Sequence, residues 1–424
     1  VMNTGELRAG TAQLPITPPV GVDLSGFVAR EQPSTGVHDE LFVRALYLEG
    51  AGERLLWLHC DLLALDREQV ARTRQALGES LGLEPRQILL TTTHTHSGPA
   101  TVLLRQCGTV DPGYLRMLDG WLLTAGRCAV ADHRPVTMRF AEERCTLAQD
   151  RRQPSLLAHT DYRLPVLTLM NEKGSYMAVI ANYPMHNVAL SAENRLISAD
   201  MAGAAAEWAR QHLPGAPVVL MTNGACGNLN PPSLSANPQG MEDYGRQLGE
   251  AILRGAHDGE VCLAPSLGVG LQTLSLPLTP LSQEQVLAEY DQLAKMVLLD
   301  RWQVAMRQWR DDTLALLEQG APSDEPWAVP IDIQALRIGP VRFAALGAEV
   351  FSRMADELRA IHGPHTYVVG YANGDIGYLP FREAYPEGGY EVETAFKFYA
   401  NFMVAPGSYE LCRDLAVELL LKLG

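Results

Sequence analysis

The chain has 424 residues, 47 % of them hydrophobic and 20 % charged, with a formal net charge of −15 at pH 7. That balance describes a globular protein with a sizeable core and argues against extensive disorder. The acidic excess, with a pI near 5.2, excludes the basic footprint that a nucleic-acid surface requires.

No apolar run reaches the roughly 18 residues of a membrane span, so no transmembrane segment is expected. Residues 1–10 lack a basic region followed by an apolar one, so no signal peptide is read there. The seven cysteines, at 60, 107, 128, 145, 226, 262 and 412, form no C-x-x-C pair. They fit neither a zinc ribbon nor a dense disulfide framework and point to reduced thiols in a cytoplasmic protein, secretion remaining open if a leader has been removed.

In chain order, residues 43–49 and 54–59 read as strands. A helix is predicted over 66–81, with Asp66 as N-cap and Val70, Leu77 and Leu81 at helical spacing. A strand over 88–93 completes the order β-β-α-β. Residues 164–170 and 176–182 flank the turn Asn171-Glu172-Lys173-Gly174 and read as a hairpin. An alanine-rich helix over 200–213 and a strand over 218–222 follow. Residues 281–319 change character: Ser282 with Gln285 resembles a capping box, and Val286, Tyr290, Leu293, Met296 and Val297 keep helical periodicity. This helical insert is read as packing or oligomer surface. Residues 320–330 read as a loop, 333–338 and 341–346 as strands, and 407–423 as a closing helix. With no visible repeat and no linker, the expectation is one α/β domain of mixed α+β layers spanning 1–424.

The chemistry concentrates at four turns. Residues 91–99 read Thr91-Thr92-Thr93-His94-Thr95-His96-Ser97-Gly98-Pro99. Residues two apart in a strand share a side, so His94 and His96 are expected to project together at the strand exit. Paired imidazoles beside a Gly-Pro turn suit a divalent metal. The other three turns are Asn182-Tyr183-Pro184-Met185-His186-Asn187, Gly347-Ala348-Glu349, and Gly370-Tyr371-Ala372-Asn373-Gly374-Asp375-Ile376-Gly377-Tyr378. Each has a commonplace reading: His186 in a core, Glu349 in a helix's first turn, Tyr378 as packing. Together, two histidines and a glutamate make the shell of a catalytic zinc with an open position. His38-Asp39-Glu40 and Asp61 are secondary candidates, for a pocket wall or for orienting a ligating histidine.

These segments resemble the catalytic domain of the neutral/alkaline ceramidases, a family of zinc amidases, from Ala9-Gly10-Thr11-Ala12 and Ile16-Thr17-Pro18-Pro19 to the Tyr390 region. The family string T-H-T-H-S-G-P occurs unchanged at 93–99. The resemblance implies a ceramidase-like α/β fold of mixed sheets flanked by helices. It also implies one Zn2+ held by His94, His186, Glu349 and Tyr378, with His96 facing the substrate. Tyr390, twelve residues beyond Tyr378, is implied to contact the scissile carbonyl, and Arg151 (or Arg152) to line the site. Asn228, Asn230 and His38 are expected at the substrate.

Two departures follow. Gly227-Asn228-Leu229-Asn230-Pro231 places Asn230 where the family has a serine, and asparagine cannot act as a nucleophile. No room is expected for the family's C-terminal immunoglobulin-like domain. The function read from the sequence is therefore hydrolysis of an amide or ester by a metal-activated water, on a small-molecule or lipid-like amide that differs from or is smaller than ceramide. The alternatives are a zinc-dependent lyase on a sugar-like substrate and a non-catalytic metal-binding scaffold. Neither nucleic acid nor a membrane span is expected, and the 281–319 insert is the candidate homo-oligomer surface.

Overall fold

The computed structural model describes residues 6–263, 265–296, 299–320 and 327–424. Three mixed sheets of one topology make up the fold. In the first, β1 (Arg8–Pro15), β2 (Phe42–Gly50), β3 (Glu53–Cys60) and β4 (Ile88–Thr92) lie side by side in the order β4-β3-β2-β1. The pairs β1–β2 and β2–β3 are antiparallel, whereas β3–β4 is parallel across the helix α1 (Arg67–Leu81). The helix α2 (Pro112–Ala131) follows.

The second sheet repeats this plan with β5 (Thr137–Arg144), β6 (Arg163–Met170), β7 (Tyr176–Tyr183), α3 (Asp200–His212), β8 (Val218–Asn223) and α4 (Pro238–Asp258). Its order is β8-β7-β6-β5, with β7–β8 parallel. The third uses β9 (Leu267–Thr279), β10 (Ala328–Ile338), β11 (Val341–Leu346), α7 (Arg353–His362), β12 (Thr366–Val369) and α8 (Ser408–Lys422), with β11–β12 parallel. Between β9 and β10 stand α5 (Gln283–Ala294) and α6 (Asp300–Gln319). The expectation of no repeat thus fails at the level of the fold: β-β-β-α-β-α occurs three times. The sequence hides it because alternating burial can be met by many residue types.

Period-two alternation explains the layers. Leu46, Leu48 and Trp57 of the first sheet, Leu167 and Ile180 of the second, and Leu336, Phe343 and Val369 of the third share one central cluster. Their sequence neighbours Ala45, Tyr47 and Leu58 face the other way, onto Val70 and Leu77 of α1 and Leu118 and Leu122 of α2. The second and third sheets bury their outer faces under α3–α4 and α7–α8 in the same manner. Each large apolar side chain so buried contributes roughly 1.5–3 kcal/mol, which makes the three-sheet centre a rigid platform.

The expected strands and helices recur with small boundary shifts. Asp66 caps α1 by accepting from Gln69 N, and the Ser282–Gln285 capping box is formed. The 320–330 segment is corrected at its end, where Ala328–Pro330 already belong to β10. Val297 and residues 321–326 lie outside the described residues. The helices α2 and α4 and the strands β1, β5, β9 and β12 were missed. All seven cysteines are free thiols. Among the described residues no helix is long and apolar enough to cross a membrane.

Two features of the repeat position the site. The carboxyl ends of the central parallel strands β3–β4, β7–β8 and β11–β12 are followed by Leu63 and His94, His186 and Cys226, and Glu349 and Tyr371. Such ends are where open α/β sheets present their loops to ligands. The three long connections between first and second strands, 16–41, 145–162 and the one that carries α5 and α6, leave the sheets as excursions.

Candidate metal centre

β4 ends at Thr92, and His94 then adopts a left-handed backbone with φ of +56°. The two histidines are therefore brought together by a strained turn rather than by strand periodicity. A non-glycine residue there costs of order 1–3 kcal/mol and persists only when its surroundings over-determine it. They do: Thr93 N donates to Cys60 O (2.9 Å), His94 Nδ1 to Leu63 O (2.9 Å), and the His94 ring stacks on Tyr371 with centroids 3.9 Å apart. His96 is fixed through its carbonyl, which accepts from the buried Arg30 guanidinium (2.7 Å), and its ring packs 4.8 Å from Phe27.

His186 follows β7 and Pro184. Its N–H donates to Leu229 O (3.0 Å) and its Nδ1 to Cys226 O (3.2 Å). Glu349 pairs in parallel register with Tyr378, so one two-residue ladder sets both side by side. Glu349 N donates to Gly377 O (2.9 Å), and Glu349 Oε1 accepts from Tyr399 Oη at 2.5 Å.

Donation by Nδ1 in His94 and His186 leaves each Nε2 with a bare lone pair. The three histidines present nitrogen atoms within 4.8 Å of one another, a group that could hold a metal ion. His94 Nε2 lies 3.2 Å from His96 Nε2. Glu349 Oε2 lies 3.2 Å from His186 Nε2 and 3.7 Å from His94 Nε2, yet is buried without a properly directed hydrogen bond. Ligands at about 2.0–2.1 Å from a tetrahedral metal stand about 3.3 Å apart, close to these separations. A buried carboxylate oxygen without a donor is costly unless a cation answers it. The residues present therefore fit a divalent metal, with His94 and His186 common to the donor sets and His96 or Glu349 as third.

Burial sets the protonation. It depresses His94 to about 3 and His96 well below the ordinary imidazole range, so both are neutral near pH 7. Burial pushes Glu349 up, but the His186 and His94 imidazoles that face it and the Tyr399 hydroxyl that donates to it hold it below its ordinary value, and the carboxyl stays ionised.

Around this centre, Arg151 donates from Nε to Glu391 Oε1 (2.7 Å), from Nη2 to Gly227 O (2.7 Å), and from Nη1 to Asn230 Oδ1 (3.4 Å). Its guanidinium stands over the Tyr378 and Tyr390 rings, at 5.2 Å and 5.7 Å. Arg152 instead turns to Glu391 Oε2 (2.8 Å) and Gly388 O (3.1 Å), so of the two arginines it is Arg151 that stands over Tyr378. Tyr378 lies parallel to His186 with centroids 6.4 Å apart, and Tyr390, 45 % exposed, opens the π-helical turn Tyr390–Thr394 at the rim.

Three expected residues have other places. His38 pairs with Glu242 (3.3 Å) on the wall of a separate cavity of about 730 Å³ that also contains Asp39 and Trp208. Asn228 is buried with its amide consumed by Asp150 Oδ2 (2.7 Å), Ser352 Oγ (3.1 Å) and Ser352 N (2.8 Å), leaving nothing for a substrate. Asp61 is tied to Arg44 at 2.7 Å and orients no ligating histidine. Conversely Tyr371, Tyr399, Arg30 and Glu391 were missed. Their roles depend on long-range partners, and only the glycine-punctuated run around Tyr371 hinted at one.

Comparison with known proteins agrees with this architecture. Residues 8–219 match the N-terminal part of the neutral/alkaline non-lysosomal ceramidase family. The neutral ceramidase of Pseudomonas aeruginosa is 25 % identical over an alignment of 302 residues that covers 65 % of this chain and 42 % of that relative, so the match spans less than half of the relative's length. The crystal structure of neutral ceramidase from Pseudomonas aeruginosa superposes with a TM-score of 0.77 at 19 % identity, covering 99 % of this chain and 74 % of that one. A ceramidase complexed with C2 gives a TM-score of 0.78 at 18 % identity, covering 99 % and 75 %. With a mixed α/β fold shared throughout and half of its length matched by the family, the chain belongs to the neutral/alkaline non-lysosomal ceramidases.

Proposed function

We propose that the protein is a zinc-dependent hydrolase of amide or ester bonds, acting on a substrate different from or smaller than ceramide. The observation that carries this reading is the convergence of two stripped imidazole nitrogens and an unanswered carboxylate oxygen beside a third, neutral histidine. His94, His186, Glu349 and Tyr378 would hold the metal. Bound there, it would supply Lewis acidity, making a water nucleophilic near neutral pH and polarising a carbonyl.

The chain's own residues do the rest. His96, kept neutral by burial, accepts a proton at Nε2 and returns it to the leaving group. Arg151, charged and held in place by Glu391 and Gly227, aims a donor at the oxygen on which negative charge develops, and the Tyr390 hydroxyl adds a second. Asn230 offers its amide at the same wall, in the position where the family carries serine. That replacement, and a mouth made of Arg151, Asn230 and Tyr390, favour a compact polar amide over a long-chain lipid. The seven free thiols support a cytoplasmic setting.

The test is a panel of N-acyl amides and esters of graded acyl length, assayed with metal-free and zinc-loaded protein. We expect hydrolysis only with metal, fastest for short acyl groups. His94→Ala should lose metal and activity together, whereas His96→Ala should keep the metal and lose roughly 10²–10⁴-fold in rate. Full activity in the metal-free protein or in His94→Ala would refute the reading.

A further inference from the structure

We propose that Tyr399 is the positioning residue that aims Glu349 at the metal, and that the hairpin α5–α6 sets the position of Tyr399. The inference rests on the reading of Glu349 as a ligand. A carboxylate only accepts, so the 2.5 Å contact is a Tyr399 O–H donated to Oε1. One oxygen is thereby occupied, the carboxylate's rotation is fixed, and Oε2 is left facing His186 and His94. The Tyr399 ring itself rests on Gly377, where an added Cβ would stand 3.2 Å from Cε2. Gly377 also accepts the Glu349 N–H, so ring and carboxylate share one support.

Both helices of the hairpin grip the short segment that carries Tyr399. From α5, Glu289 pairs with Lys397 at 2.9 Å. From α6, Trp302 meets the Phe398 ring edge-on at 4.9 Å, and Trp309 lies under the Lys397 ammonium at 5.1 Å. Arg105 completes the clamp. Its N–H donates to Phe398 O (2.9 Å), its guanidinium to the carbonyls of Lys397 and Tyr399, and its Nε to Asp312 on α6 (2.9 Å). A packed cluster of Val28, Leu63, Leu104, Ala305, Met306 and Phe398, with Tyr399 against it, fills the space between hairpin and centre.

The threefold plan of the fold points the same way. The other two connections between first and second strands act on the centre directly: 16–41 places Gly26 against His96, and 145–162 delivers Arg151. The third, through α5 and α6, acts by way of Tyr399. Its role is therefore more than packing or oligomer surface. Partners that orient a ligand govern metal affinity about as strongly as the ligands' own geometry allows, typically by 10–100-fold.

The experiment is zinc affinity of the full chain, measured by competition with a chromophoric chelator. It compares wild type, Tyr399→Phe, Glu349→Gln, and the pair Asp312→Asn with Glu289→Gln, alone and combined with Tyr399→Phe. We expect Tyr399→Phe to bind zinc roughly 10–100-fold more weakly, with the melting temperature of the metal-free protein unchanged. The hairpin pair should weaken binding roughly three- to tenfold in the wild-type background, and add nothing once Tyr399→Phe is present. Wild-type affinity in Tyr399→Phe, with Glu349→Gln impaired, would overturn the positioning role and leave Glu349 a ligand. Wild-type affinity in Glu349→Gln would overturn the ligand reading, and this inference with it. A hairpin effect of equal size in both backgrounds would show that α5–α6 does not act through Tyr399.

Discussion

A methyl group at position 26 would stand 2.4 Å from His96 Nδ1, on a backbone with φ of +95°. Nothing at that spot is a yielding side-chain tip, because His96 is held by Arg30 and Phe27. Gly26→Ala must therefore turn the His96 ring, since the three heavy atoms nearest the added methyl all belong to His96. Misplacing a catalytic group by about 1 Å can cost about 10²-fold in rate. We expect Gly26→Ala to lower kcat by roughly 10–100-fold with KM little changed and zinc affinity intact. The same variant separates the two donor sets. If His96 rather than Glu349 were the third ligand, chelator competition would show zinc binding falling along with kcat.

At the scale of elements, α3 and α4 show why part of the fold was hidden. Gly240, Gly245, Gly249 and Gly255 interrupt the helical signal of α4, since glycine is a poor helix former. Three of these are required by proximity: a Cβ on Gly245 would meet Ala204 Cβ at 2.4 Å, one on Gly249 would meet Trp208 Cδ1 at 2.6 Å, and one on Gly255 would meet Val166 Cγ2 at 2.7 Å. Gly→Ala in a helix ordinarily stabilises by about 0.4–1 kcal/mol, but overpacking a rigid contact costs about 1–3 kcal/mol. The clash wins, and Gly245→Ala should lower stability by roughly 1–2 kcal/mol, read as a reduced urea midpoint at unchanged m-value. A midpoint at or above wild type would mean that the two helices separate freely. β9 was missed for a related reason, its glycines and proline blurring the alternation that its eleven-pair ladder with β10 satisfies. The site was more legible. His94, His186, Glu349 and Tyr378 each sit at a local turn signal, so spacing and family resemblance reach them. Tyr399 and Arg30 act on partners far along the chain, and no local pattern marks them.

For the whole molecule, burial of neutral imidazoles at the meeting point of the three sheets links stability to pH. Burial pushes His59 and His94 to about 3 and His96 well below the ordinary 6.5. A depressed folded-state value means that the unfolded chain binds the extra proton. The contribution is thus whole above pH 6.5 and is lost as the pH falls toward the folded value. Each such group withdraws about 1.4 kcal/mol per pH unit in that window, so three withdraw about 4 kcal/mol. Asp200, raised by burial to about 6, works in the opposite direction. Its stability is whole below the ordinary carboxylate value and is lost as the pH rises through 6, so acidification from 6 returns at most about 1.4 kcal/mol per unit. Asp39, also raised to about 6 with burial the largest cause, has a side chain 35 % exposed and returns less. Asp61 and Asp375, likewise raised by burial, add to that return, so the histidine contribution is read by removing one imidazole. Between pH 7.5 and 5.5, His59→Gln, remote from the ligands, should spare the metal-free chain about 1.4 kcal/mol of acid destabilisation relative to wild type, measured by urea denaturation in about 0.2 M salt to screen the acidic surface. An identical pH dependence in the two proteins would mean that the His59 imidazole reaches protons in the folded state, and that the meeting point of the three sheets is open to solvent rather than sealed by their packing.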